Sequence, residues 1–141
     1  MTLVWTALSS MVHETNRVTP GVNNCSPIRR LAGSKLSRLP GLTELLKWID
    51  DKGIRKVAVT NAPRLNAELM LTALDLEGYF EHLVIGTECS RAKPFPDPYL
   101  EGMRLVGAAD AAVCVAFEDS PTGLGAAVAA GIPTAGALYK L

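Results

Sequence analysis

The 141 residues carry fourteen basic against fourteen acidic side chains, so no net charge steers the chain toward nucleic acid or an anionic membrane. Hydrophobic residues make up 48%, which excludes a disordered chain and suits one domain with one buried core. The three cysteines, Cys25, Cys89 and Cys114, are odd in number and lack CxxC spacing, which argues against a metal–thiolate site and for a reducing compartment.

No apolar stretch approaches the roughly 18 residues that a membrane span needs. The opening MTLVWTALSSMV also lacks the charged start of a secretory leader, so Asn24-Cys25-Ser26 reads as a chance glycosylation triplet. Residues 1–35 hold Pro20, Gly21, Asn23, Asn24 and Pro27 without periodicity and are expected to be irregular. Within them only TLVWTAL, residues 2–8, has strand character; it reads either as a strand or as a loose tail.

From 36 to 141 short β-branched runs alternate with helical patterns, the sign of a parallel α/β sheet. LPGLTELLKWIDDKG predicts a helix opened by Pro40 and Gly41, with Leu42, Leu45, Leu46 and Ile49 on one face and Gly53 as its stop. RKVAVT, 55–60, predicts a strand. Pro63 then sets the first turn of a helix whose sheet-facing side would hold Leu65, Leu69, Leu71 or Thr72, and Leu76. HLVIG, 82–86, is the next strand, AKPFPD a loop, and PYLEGMRLVGA a helix. The unbroken apolar run AAVCVAF, 111–117, predicts a fully buried strand, PTGLGAAVAA a helix, and IPTAGAL a last strand.

In open parallel sheets ligands bind beyond the carboxyl ends of the strands, where helix N-termini gather. Three polar features fall there. Thr60-Asn61 ends a strand with a hydroxyl and adjacent amides suited to a phosphate oxygen; taken alone it reads better as a helix cap before Pro63. Lys93 sits between proline-rich neighbours that aim one long cation, yet by itself would pass for a solvated lysine. Glu118-Asp119 places two like charges at a helix start, which asks for a cation such as Mg²⁺; alternatively, Ser120 caps the helix with Pro121 at its first position while both acids face water.

Together, VAVTNAP, AKPFPDPY and FEDSPTGLGAAVAAGIP closely resemble motifs II, III and IV of the haloacid dehalogenase-like hydrolases, above all the phosphoglucomutase-like sugar phosphatases, with TNAPRLNAEL most like the plant members. The likeness covers about residues 36–141. It implies a Rossmann-like parallel sheet flanked by helices, phosphate binding by Thr60, Asn61 and Lys93, a catalytic role for Lys93 in neutralising charge, and Mg²⁺ held by Glu118 and Asp119. The implied partner is a small phosphorylated metabolite of the sugar-phosphate kind, with no nucleic acid and no membrane.

The family's nucleophilic aspartate lies in a DxDGT segment ahead of motif II. The 59 residues before Thr60 contain no D-x-D; their acids are Glu14, Glu44, Asp50 and Asp51. The resemblance therefore implies an N-terminally truncated core, shortened too at its C-terminus, whose cap domain is mostly absent apart from a tail in SKLSRLPG. Loss of the motif I strand would leave two buried strands with unpaired edges unless residues 2–8 fill the slot. The expected function is a Mg-dependent sugar-phosphate phosphatase type with little turnover; the alternative is a non-catalytic phospho-ligand and Mg²⁺ binder. A flavodoxin-like or receiver module is disfavoured by the order of the three motifs and because this chain has no acceptor aspartate at a first strand end. His13, His82, Trp5, Trp48 and Arg64 read as bland packing or surface residues. The compartment expected is the cytoplasm. Five basic residues against one acidic over 1–38 add a plastid-like bias without an amphipathic pattern.

Overall fold

The structure is a computed structural model, which describes residues 2–5, 38 and 40–136. Strands β1 (Thr2–Trp5), β2 (Arg55–Thr60), β3 (His82–Ile85), β4 (Cys114–Glu118) and β5 (Thr134–Gly136) form one sheet in the order β3-β2-β1-β4-β5. All four neighbouring pairs are parallel. The helices are α1 (Leu42–Asp51), α2 (Arg64–Ala73), α3 (Asp97–Leu105) and α4 (Pro121–Ala129). This is the expected α/β, Rossmann-like arrangement. Chain order runs outward from β1 through β2 to β3, then crosses to β4 and β5, so the direction of winding reverses at β1. In such sheets that reversal opens a crevice beyond the strand ends.

The backbone of Thr2–Trp5 pairs on both sides, Val4 with Val57 of β2 and with Ala116 of β4. Residues 6–8 of the stretch singled out above lie outside the described residues, as do His13, Cys25 and the SKLS of the suggested cap tail.

Period-two alternation sends the strands' side chains into two cores, one on each face of the sheet. Val57 and Val59 of β2, Val84 of β3, and Cys114 and Ala116 of β4 pack with Tyr99 and Met103 of α3 and with Ala126 and Ala127 of α4. Ala58 and Ile85 face the other way, against Leu42, Leu46 and Ile49 of α1 and Ala67 and Leu71 of α2. Cys114 is fully buried and serves as a small hydrophobe, as expected of it.

Several expectations need correction. On α2 the buried face is Ala67 and Leu71, continued by Leu74 and Leu76, whereas Leu65 is 52% exposed and Thr72 faces solvent. The helix is thus rotated relative to the leucine count, with Ala67 fully buried in the core that holds Ala58 and Leu71. The strand expected from residue 111 starts at Cys114, since Ala111–Val113 form a 3₁₀ turn. Its cause is local: the Asp110 carboxylate accepts the Ala112 N–H at 2.8 Å, capping the turn and holding Val113 outside the sheet. Gly86 leaves β3 to open a second 3₁₀ turn, Gly86–Glu88. Trp48, expected to pack, is 43% exposed on α1.

Candidate functional site

Thr60 and Glu118 are the last residues of β2 and β4, the strands on either side of β1, so both stand at the crevice where the winding reverses. Both are buried polar residues. The Thr60 hydroxyl accepts the Ala62 N–H at 3.1 Å and so turns the chain out of the strand. The helix cap expected of Thr60-Asn61 is not formed: Pro63 stands at the N-cap of α2 without a side-chain bond, and Thr60 closes only the turn that precedes the helix.

Asn61 does something that its sequence position does not suggest. Its amide nitrogen donates to the Lys93 carbonyl at 3.1 Å, and its amide oxygen accepts the Lys93 N–H at 3.2 Å. The side chain thus clamps the backbone of the loop carrying Lys93, and what Asn61 can still offer an anion is its main chain. A methyl group at Gly86 would collide with that amide oxygen, which explains the glycine at the end of β3.

Lys93 is not the solvated lysine that its surroundings in sequence would allow: its side chain is 6% exposed. The ammonium donates to the Val59 carbonyl at 3.1 Å and to Glu118 Oε1 at 2.6 Å, and lies 5.2 Å from the centre of the Tyr99 ring. Burial pushes its pKa down, because desolvation disfavours the charged form; the charge and hydrogen bond of Glu118 and the charge of Asp119 oppose this. The bond to Val59 sets the ammonium beside Thr60, one residue along β2.

Glu118 shares the strand face of Cys114 and Ala116, so alternation turns it inward toward α3, where Tyr99 is fully buried. Oε1 accepts from Lys93 and from the Tyr99 hydroxyl at 2.7 Å. Oε2 accepts from the Ser120 hydroxyl at 3.1 Å and from the N–H groups of Asp119 and Ser120 at 3.2 and 3.4 Å. The carboxylate thus lies at the N-terminus of α4, where free N–H groups favour an anion. Ser120 also accepts the Gly123 N–H at 3.1 Å, the helix cap expected of it with Pro121 next. A side chain at Gly123 would occupy the space of the Glu118 carboxylate. The water-facing alternative for the acid pair thus fails for Glu118; Asp119 is half-buried beside it and close enough to act on Lys93.

The cation that two adjacent acids call for is, for Glu118, supplied by Lys93. Among the described residues no group of three or more His, Cys, Asp or Glu side chains gathers as a metal site. Mg²⁺ commonly takes one or two carboxylates together with phosphate oxygens and water. With both Glu118 oxygens accepting protein donors, the residues fit an ion shared between Asp119 and a phosphate oxygen, and do not fit a cage built by the protein alone.

An open cleft of about 450 Å³ adjoins the loop after β3. Its acids Glu88, Asp97 and Glu101 are each bound by an arginine, from Arg64 at 2.6 Å, Arg91 at 2.9 Å and Arg104 at 2.8 Å, so it offers neither a bare anion nor a bare cation. Arg64, expected to be merely exposed, is half of one of these pairs. Tyr99, Gly86 and Gly123 went unnoticed in the sequence. The one signal for Tyr99 was an aromatic residue six positions beyond Lys93, which reads as ordinary helix packing.

Residues 26–137 match the family described as haloacid dehalogenase-like hydrolase. The chain is 36% identical over 104 residues to the phosphorylated carbohydrates phosphatase of Thermotoga maritima, covering 74% of this chain and 48% of that protein. It is 35% identical over 105 residues to protein CbbY of Rhodobacter capsulatus, covering 72% and 46%. The crystal structure of a CbbY variant from Rhodobacter sphaeroides in complex with xylulose-(1,5)bisphosphate superposes with a TM-score of 0.73 at 26% identity, covering 80% of this chain and 51% of that one. The chain spans about half the length of the curated relatives it matches. By the extent of the family match and the agreement in fold, the chain belongs to the haloacid dehalogenase-like hydrolases.

Proposed function

We propose that this chain handles the phosphate group of a small phosphorylated metabolite, a sugar phosphate by analogy with its relatives, in the manner of a Mg-dependent phosphatase but with little turnover of its own. The observation carrying this reading is the bond from Lys93 Nζ to both Val59 and Glu118, which sets a buried ammonium between Thr60 on one strand end and Glu118-Asp119 on another. An ammonium has three N–H groups, and those two bonds use two of them; the third can go to a phosphate oxygen. Thr60 and the backbone after it would receive a second oxygen, and Asp119 would hold Mg²⁺ jointly with the phosphate. Mg²⁺ there would neutralise charge on the phosphoryl oxygens.

Turnover needs a nucleophile, because electrostatic groups act only on charge that develops during attack. The 141 residues contain no D-x-D. Strand β1, between β2 and β4, reads TLVW and carries no acid. That observation favours a second reading, a non-catalytic phospho-ligand binder in which Lys93 is balanced by Glu118 instead of by a nucleophile.

Calorimetric titration of inorganic phosphate with Mg²⁺ into the wild type and Thr60→Ala, run beside an aryl phosphate assay, tests both. Binding that weakens in Thr60→Ala supports phosphate handling. Slow Mg-dependent hydrolysis abolished by Asp119→Asn selects the phosphatase reading, and binding without hydrolysis selects the binder. The absence of any binding heat in the wild type would remove both.

A further inference from the structure

We propose that Tyr99 is a positioning residue of this site: its hydroxyl fixes the Glu118 carboxylate, and through it the Lys93 ammonium, at the rim where phosphate is taken to bind. The inference rests on the phosphate reading above.

Tyr99 is fully buried in the first turn of α3, yet its ring and its hydroxyl do different things. The ring packs in the core formed with Val57, Val59 and Met103. The hydroxyl reaches Glu118 Oε1 at 2.7 Å, the same oxygen that takes the Lys93 ammonium at 2.6 Å. The ring face also stands 5.2 Å from that ammonium. Tyr99 therefore touches both members of the pair, and it does so from a helix whose position is set by apolar packing.

Oε2 is restrained separately by Ser120 and the start of α4. Without Tyr99, Oε1 would be held only by the end of the long Lys93 stem, and the carboxylate could swing about its Oε2 anchor together with the ammonium. With Tyr99 on the other oxygen, the plane of the group is defined, and so is the point at which Lys93 docks. Lys has a long stem whose freedom must be lost for the ammonium to stay in one place. The hydroxyl makes that loss in advance of any ligand, which is how preorganisation raises affinity.

Tyr99→Phe removes the hydroxyl and keeps the ring, its packing and its contact with the ammonium. Two readouts apply: the side-chain ammonium resonance of Lys93 in lysine-labelled protein, visible when a buried ammonium exchanges slowly, and the phosphate affinity by calorimetry. In Tyr99→Phe the resonance is expected to broaden or move and phosphate binding to weaken about five- to tenfold. Ser120→Ala, which removes a donor from Oε2 and unbalances the helix cap, should cost more stability yet leave the Lys93 resonance in place. An unchanged Lys93 resonance and unchanged affinity in Tyr99→Phe overturn the proposal, as does an equal disturbance of Lys93 by Ser120→Ala. A collapsed Lys93 signal in Tyr99→Phe, in a protein whose wild type takes no phosphate, upholds the role of Tyr99 and discards the phosphate reading. Should Tyr99→Phe not fold, the wild type decides: a Tyr99 hydroxyl proton in rapid exchange with water overturns the proposal, and a slowly exchanging one supports it.

Discussion

Replacing Glu118 by glutamine should destabilise the protein more than any comparable single change at the site. Its carboxylate receives Lys93, Tyr99, the Ser120 hydroxyl and the N–H groups of Asp119 and Ser120, all donors, with 1% of the side chain exposed. A glutamine amide has only one oxygen. If that oxygen faces Lys93 and Tyr99, the NH₂ group points at the donors of α4; if it is flipped, the NH₂ group points at the ammonium. Either way buried donors meet donors, and the ammonium loses its hydrogen-bonded counter-charge, keeping only the more distant Asp119. Removing one partner of a buried pair costs about 3–5 kcal/mol. At about 3 °C per kcal/mol for a chain of this length, the midpoint of thermal unfolding should fall on the order of 10–15 °C. Lys93→Met should cost less, because the carboxylate keeps its other donors and the helix N-terminus. The double variant should be more stable than the sum of the singles allows, with a coupling of about 2 kcal/mol. Urea and thermal unfolding of the four proteins form the cycle. Additive effects within about 0.5 kcal/mol, or a Glu118→Gln variant within about 1 kcal/mol of wild type, would refute the claim that the two charges depend on each other.

Gly86→Ala and Gly123→Ala should each destabilise by about 1–3 kcal/mol, because the added methyl meets the Asn61 amide oxygen in one case and the Glu118 carboxylate in the other. Unfolding midpoints check this, and Gly125→Ala, with open space around it, is the control expected to show no such loss. Ser120→Ala should cost about 1–2 kcal/mol through loss of the α4 cap, again read by urea denaturation. Glu81, Glu88, Asp97 and Glu101 have pKa values held down chiefly by hydrogen bonds from Arg55, Arg64, Arg91 and Arg104. The unfolded chain therefore takes up protons first, and their contribution, complete above roughly pH 5, is lost as pH falls through the lower folded-state values. Because these pairs are solvent-exposed, melting curves from about pH 5 to 2 should show a shallower loss in about 1 M salt. A slope that salt leaves unchanged would assign the acid sensitivity to buried groups instead.

Much of this molecule was legible in one dimension. Helical spacing in LTELLKWIDD and β-branched runs such as VAVT are local signals, and each segment forms the element it advertises because its own apolar face demands burial. The order hydroxyl, lysine, acid pair after successive strands was likewise readable, since parallel topology carries strand ends to one rim. Errors came where a neighbour decided. Asp110 converts the start of an apolar run into a turn, and packing against the α1 and sheet side chains buries Ala67 while leaving Leu65 in solvent. The sequence left open whether TLVWTAL joins the sheet, because four apolar or β-branched residues in isolation bury nothing; the backbone pairing of Thr2–Trp5 with two strands arises only from long-range contact.

The residue types at the site, and the lack of a D-x-D among them, are thus properties of the chain alone. What each side chain does was settled in three dimensions: Asn61 braces the loop of Lys93, Lys93 is buried against Glu118, and Glu118 is gripped by Tyr99 and the start of α4. The physical reason is that a charge's partner is whatever lies within about 3 Å after folding, and here those partners come from residues 19 to 34 positions away. Spacing along the chain can bring such groups to a common edge, but only packing decides which of them touch.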